Sequence, residues 1–265
     1  MRTHTTSSYP GILIVNADDW GRDRLTTDRT LDCTRSGAVS AVSAMVFMED
    51  SERAAAIARE RGIEAGLHLN LTTPFSAPGC PGRLVERQQQ LARYLRWHRF
   101  SQVVFHPGLV RTFDYVVAAE LDEFRRLYGR DPDRVDGHHH MHLCANVLLA
   151  GLLPRGALVR REFSFQFGEK GLGNVLYRRL VDRLLTRRHR VVDFFFSLAP
   201  LEPASRLQRI FDLARQFVVE MESHPADPDE HRFLSRGELL SRIGGVRIVP
   251  PSVVSRAGLG ERQTL

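Results

Sequence analysis

The sequence has one lysine in 265 residues: Lys170 stands against 36 arginines, with 31 acidic residues and a net charge of +6. A pI near 9.8 would ordinarily suggest a nucleic-acid or anionic-surface partner. So one-sided a use of arginine reads instead as a composition bias, and acidic residues accompany the arginines, as in Asp122-Glu123-Phe124-Arg125-Arg126. The densest basic stretch, Arg178 to Arg190, interleaves leucine and valine at helical spacing, the pattern of a solvated helix face. No nucleic-acid partner is expected.

Cysteine is also scarce. Cys33, Cys80 and Cys144 are odd in number and far apart, which excludes a disulfide framework or a paired-cysteine zinc site and fits a reducing cytoplasm. No run of eighteen apolar residues is present, so no membrane span is expected. Met1 to Pro10 is polar and lacks the apolar centre of a signal peptide. Internal repeats and low-complexity tracts are absent, and the glycines of Gly168 to Gly173 lack the spacing of a phosphate loop. A cytoplasmic protein follows, with monomer and homodimer both open.

What is present is a hydrophobic content of 43%, enough for one large core. Short β-branched runs alternate with helical stripes from Gly11 onward, with no composition shift to divide them. Strands are expected at 11–17, 39–47, 63–72, 157–159, 191–196, 217–222 and 246–249, with one more entering the histidines at 138–142. Helices are expected at 26–36, 51–61, 91–97, 113–128, 145–153, 174–185, 205–214 and 238–243. The reading is one α/β domain over 11–251, either a parallel barrel or an open sheet. An extended or disordered stretch at 1–10 precedes it and a poorly ordered tail follows at 252–265.

Four of the eleven histidines fall within His138-His139-His140-Met141-His142, a density no folding requirement explains. Imidazole needs partners when buried and is well suited to metal binding and proton transfer. In a continuing strand, His138, His140 and His142 would share one face with Asp136, and His139 would face away. His138, and His140 beside it, could then reach one ion, whereas His142 would lie about 13 Å beyond His138. Asp136 is placed to orient a ligand histidine.

Other strand ends carry matching chemistry. The first strand runs into Asp18-Asp19-Trp20-Gly21, two carboxylates where parallel α/β folds place their sites. Gly66, His68 and Asn70 share one face of an alternating strand, which makes His68 a candidate ligand and Asn70 a candidate for supporting it or touching substrate. A late strand ends in Ser223-His224-Pro225, and a short one reaches Arg160. One Asp with two His leaves coordination positions open on a divalent metal, as hydrolysis requires.

Asn16-Ala17-Asp18-Asp19-Trp20-Gly21, Gly66-Leu67-His68-Leu69-Asn70-Leu71-Thr72, Asp136-Gly137-His138-His139-His140-Met141-His142 and Glu222-Ser223-His224-Pro225, in that order, resemble the YdjC-like carbohydrate deacetylases, which include chitooligosaccharide deacetylases. The resemblance implies a deformed, TIM-like (β/α) barrel of the polysaccharide-deacetylase type and removal of an acetyl group from an N-acetylated sugar or glycoside. It also implies that Asp19, His68 and His138 bind the metal, with Asp18 as general base and His224 as general acid. Two imidazoles and a carboxylate favour Zn²⁺, and water-rich coordination would admit Mg²⁺. Arg160 is placed to bond Asp18 or substrate.

Trp20 stands where the family usually has Phe, as either a sugar-stacking face or a volume swap. Ser223-His224-Pro225-Ala226 replaces the usual His-Pro-Gly ending, and His106-Pro107-Gly108 imitates that ending without a family counterpart. Residues 74–113 match poorly and are expected to shape the substrate pocket. Two other readings remain: hydrolysis of a phosphoester on the same rim, and a carbohydrate-binding homologue without catalysis.

Overall fold

The computed structural model describes residues 11–98, 100–164 and 171–256. In chain order the elements begin β1 (Ile12–Trp20), α1 (Arg24–Arg35), β2 (Ala41–Ala44), α2 (Ser51–Arg61), β3 (Ala65–Leu69), α3 (Gly82–Trp97) and α4 (Val110–Tyr128). They continue with β4 (Arg134–Gly137), α5 (Ala145–Ala150), β5 (Leu158–Val159), α6 (Leu172–Thr186), β6 (Phe194–Ser197) and α7 (Ala204–Ala214). The chain then passes through β7 (Val218–Ser223), α8 (Pro228–Ser235), α9 (Glu238–Arg242), β8 (Arg247–Ile248) and α10 (Pro251–Arg256).

The strands form one parallel sheet in the order β5-β4-β3-β2-β1-β7-β6, with β8 also on β1. Every residue of β1 is buried, as the unbroken run Ile12 to Val15 requires of a central strand covered on both faces. The sheet is strongly curled. In a flat sheet β5 and β1, four strands apart, would be separated by about 19 Å, yet Arg160, next after β5, bonds Asp18 of β1 at 2.7 Å. Between β5 and β6 the described residues form no ladder, only an isolated Leu158–Arg190 bridge, so the pairings do not close a full barrel.

Helices cover the outside. α4 buries Phe113, Val116, Val117 and Phe124, and α7 buries Leu207, Ile210 and Phe211, at three- and four-residue spacings. Each such side chain contributes about 1.5–3 kcal/mol when fully buried.

Several boundaries differ from those expected. α3 starts at Gly82 rather than 91, because the polar run Glu86 to Gln90 hides a stripe of Leu84, Gln88, Leu91 and Leu95. α8 was not expected; it is short, and its signal is local, with Asp227 accepting from the Asp229 and Glu230 amides and Pro228 in the first turn. The tail expected from 252 instead begins inside α10, where Val254 is buried and the Ser252 amide donates to Glu64. Residues 1–10 and 257–265, and the first half of the turn at 168–173, lie outside the described residues. No helix among the described residues is long and apolar enough to cross a membrane.

Candidate metal centre

Adjacent residues of a regular strand point to opposite faces, so Asp18 and Asp19 should not share a site. β1 resolves this with a bulge: its register against β2 runs from Ala17–Val42 to Trp20–Ala44, three residues against two. Asp19 takes φ 64 there, a left-handed conformation that aspartate tolerates better than most residues. Both carboxylates consequently face His68, whose Nε2 lies 3.9 Å from Asp18 Oδ2 and 3.3 Å from Asp19 Oδ1.

His68 projects from β3 into the curl. Its Nδ1 lies 2.8 Å from Asp136 Oδ1 on β4, which fixes the ring and leaves Nε2 toward Asp19. Burial alone would lower its pKa, but Asp18, Asp136 and Asp19 around it raise it to about 10. Two positions earlier, Gly66 is dictated by packing, since a Cβ there would lie 2.8 Å from the Arg134 carbonyl oxygen.

The histidine run is not a strand. β4 ends at Gly137, and residues His138–Leu143 form a 3-10 turn in which His139 and His140 both take left-handed angles, φ 55 and 57. Face alternation therefore stops at Gly137, and the four rings fan out toward four partners. His138 Nδ1 lies 2.9 Å from Asp19 Oδ1. His139, expected to face away, has its ring 4.0 Å from that of His138 and its Nδ1 2.9 Å from Thr72 Oγ1. His140, considered as a co-ligand, packs edge-on against Phe163 and Phe195 with Nε2 3.8 Å from Glu222. His142 is buried with Nε2 2.9 Å from the Arg160 carbonyl oxygen. Burial lowers the pKa of His140 to about 3 and of His142 to about 4.

Beneath this rim lies a network only partly anticipated. Arg160 bonds Asp18 through both terminal nitrogens at 2.7 and 2.8 Å, and also reaches Asp136, Glu220 and Glu222. Arg134 bonds Asp136, Glu220, Ser43 and Asn16. Burial opposes ionisation of Asp18, but the Arg160 guanidinium, with His68, holds its pKa at about 2. Glu222, buried beside Asp18 and Glu220, is pushed well above the usual carboxylate range. Arg134 and Glu220 went unremarked in sequence and Glu222 was given no role there, although two alternate charges within Val218-Val219-Glu220-Met221-Glu222 are the mark of a strand facing a polar interior.

Of the remaining candidates, Arg160 is 1% exposed and bonds Asp18 rather than substrate. Trp20 is 0% exposed, so it cannot be a sugar-stacking face and acts as core volume. Asn70 is buried; its Oδ1 accepts from the Thr72 and Thr73 amides, and its Nδ2 donates to the Thr73 carbonyl and the Met48 sulfur. His224 follows β7 with its side chain 41% exposed and Nε2 3.9 Å from Asp18 Oδ2. His106 packs on Tyr94, and its backbone pairs with Asn146, far along the chain from the other candidates.

Asp19, His68 and His138 present donor atoms all within 4.8 Å of one another. Two bonds of about 2.1 Å to one ion put donors roughly 3.0–3.4 Å apart, and the Asp19–His138 and Asp19–His68 separations are 2.9 and 3.3 Å. Asp19 Oδ1 is buried and accepts no hydrogen bond from either ring, an unmet acceptor at the centre of the set. Burial would raise its pKa, yet the two imidazoles hold it well below the usual range. A second grouping, Asp18, His68 and Asp136, has its two carboxylates already engaged by Arg160. The first group therefore fits a divalent cation and the second does not.

The family model described as YdjC-like protein matches residues 12–245. The chain belongs to the YdjC-like family. It is 36% identical over 137 residues to a chitooligosaccharide deacetylase of Enterobacter sp. (strain 638), covering 50% of each chain. It is 27% identical over 252 residues to a carbohydrate deacetylase of Enterococcus faecalis (strain ATCC 700802 / V583), covering 92% of each. In its matches to the Enterobacter and Proteus mirabilis chitooligosaccharide deacetylases, this YdjC-like chain spans about half the length of those relatives. A crystal structure from E. faecalis V583, described as a candidate cellobiose-phosphate cleavage protein, shares the fold at TM-score 0.63 and 19% identity, over 91% of this chain and 97% of that one.

Proposed function

We propose that this YdjC-like protein is a metal-dependent hydrolase that removes the acetyl group from an N-acetylated amino sugar or glycoside. The observation that carries the proposal is the convergence of Asp19, His68 and His138 beside an arginine-held Asp18 and an exposed His224. The deacetylase names of the relatives support the substrate class. The curled sheet is read as a TIM-like barrel left open between β5 and β6, with all these residues on its carboxyl rim.

Asp19, His68 and His138 would hold one divalent ion, Zn²⁺ ahead of Mg²⁺ for two imidazoles and one carboxylate. When bound, the ion supplies Lewis acidity to the amide carbonyl and to water. Asp18 is the base. Its Oδ1 accepts from Asn16 and Arg160, whereas among the described residues Oδ2 accepts from Arg160 alone, which leaves it a lone pair for a proton from water. Asp136 holds the His68 ring in place. His224 is the acid, exposed and 3.9 Å from Asp18, and protonates the amine as the carbon–nitrogen bond breaks. Water and the N-acetyl sugar thus become acetate and the free amino sugar. The free thiols of Cys33, Cys80 and Cys144 support a reducing, cytoplasmic location.

Elemental analysis of protein purified without a histidine tag, followed by acetate assays on N-acetylglucosamine oligosaccharides, tests the proposal. One divalent ion per chain and acetate release are expected. Phosphate release from a generic phosphoester without acetate would overturn it, as would sugar binding without turnover under any divalent ion.

A further inference from the structure

His139 has no role in the chemistry above, yet the chain adopts a costly conformation to place it. A non-glycine residue in the left-handed region costs on the order of 1–3 kcal/mol, and His139 and His140 adopt it in succession. The consequence is that His139, which a continuing strand would turn to the opposite face, lies exposed beside His138 with ring centres 4.0 Å apart. Thr72, buried at the end of the β3 loop, fixes the ring through its Oγ1, 2.9 Å from Nδ1. Among the described residues Nε2 has no partner. An exposed imidazole, anchored at one nitrogen and open at the other beside the proposed metal ligands, is arranged to meet a ligand.

We propose that His139 is a substrate-binding residue whose Nε2 hydrogen-bonds a hydroxyl of the sugar ring that carries the acetamido group. This rests on the deacetylase reading for the identity of the ligand. The class of group follows from the chemistry of the anchor. Thr72 can donate to Nδ1 or accept from it, so Nε2 is a donor in one tautomer and an acceptor in the other. A hydroxyl satisfies either tautomer, whereas a carbonyl or an ammonium satisfies only one. His139 stands next to His138, one of the proposed metal ligands, with ring centres 4.0 Å apart, so the sugar ring whose amide they receive is the part of the substrate nearest to it.

The test is calorimetric titration of the purified 265-residue chain with the deacetylated glucosamine disaccharide, which is not turned over, beside the KM for its N-acetylated parent. His139→Asn tolerates the left-handed backbone while removing the reach of the ring. Its affinity for the disaccharide should fall and its KM rise about five- to tenfold, the worth of one such bond, with metal content unchanged. Thr72→Val, which leaves the ring in place but frees it, should show a smaller loss in the same direction. The double variant should be no weaker than His139→Asn.

Unchanged affinity in His139→Asn, additive losses in the double variant, loss of metal, or no binding of the disaccharide by the parent protein would each overturn the proposal. A parent protein that binds the disaccharide in a His139-dependent way but releases no acetate would overturn the deacetylase reading and leave this assignment standing. If His139→Asn does not fold, Thr72→Val decides alone: unchanged affinity there is equally fatal.

Discussion

Two layers of charge lie one above the other inside the curled sheet, and they are finished to different degrees. In the lower layer Arg134 and Arg160 meet Asp18, Asp136, Glu220 and Glu222, and Asn16 and Ser43 close the network. In the upper layer Asp19 Oδ1 is buried without a hydrogen bond while two imidazoles converge on it. The lower layer resembles a scaffold whose polar groups are satisfied, the condition under which buried charge is tolerated. The upper layer is left open for a cation. Asp136 joins the two, bonding Arg134 below and His68 above.

The difference can be broken from either side. Replacing Arg160 by methionine removes the cation shared by four buried carboxylates, and unfolding free energy should fall by about 3–5 kcal/mol in a denaturant titration. A loss under about 1 kcal/mol would mean that the lower layer does not depend on its arginine. Asp19→Asn strikes the upper layer, with asparagine chosen because it also accepts the left-handed conformation. Metal affinity and acetate release should fall about 100-fold or more, with unfolding free energy within about 1 kcal/mol of the parent. A large stability loss there would show that the two layers are not distinct.

Glu120 sharpens the contrast with a smaller effect, because among the described residues it is a buried carboxyl without an ion pair. Its Oε2 accepts the Asn70 amide at 2.8 Å, and its Oε1 has no hydrogen-bond partner among the described residues. Burial raises its pKa from an ordinary 4.5 to about 8. The unfolded chain therefore releases this proton near pH 4.5 and the folded chain only near pH 8, so stability is full at acid pH and declines between those values. Glu120→Gln keeps an acceptor for Asn70 and removes the decline. Thermal melts should show the variant gaining on the parent protein between pH 5 and pH 8.5, and parallel pH dependences would sink the assignment.

Much of this was legible in residue order. Strand-ending motifs at Asp18-Asp19, His68, His138 and His224 mark one rim because parallel strands share a direction, and their order resembles the family to which the chain belongs. The helical stripe of α4 was visible from its apolar spacing, whereas α3 was half hidden by a polar run whose Gln88 turns out to be buried. The histidines were misread beyond Gly137 because alternation holds only while the strand lasts, and nothing local announces two successive left-handed residues. Trp20 was open to a surface role in sequence, since burial of an indole depends on which helices cover it.

By itself the sequence determined which groups are available: carboxylates at the end of an apolar strand, imidazoles at the ends of others, and no cysteine pairs to compete for a metal. The tertiary structure decided how they are used. A bulge turned Asp19 to the same side as Asp18, a 3-10 turn sent four neighbouring histidines to four different partners, and the curl of the sheet carried Arg160 across to Asp18. Side-chain direction at a strand end depends on a few backbone angles, and those are set by packing between segments well separated in the chain.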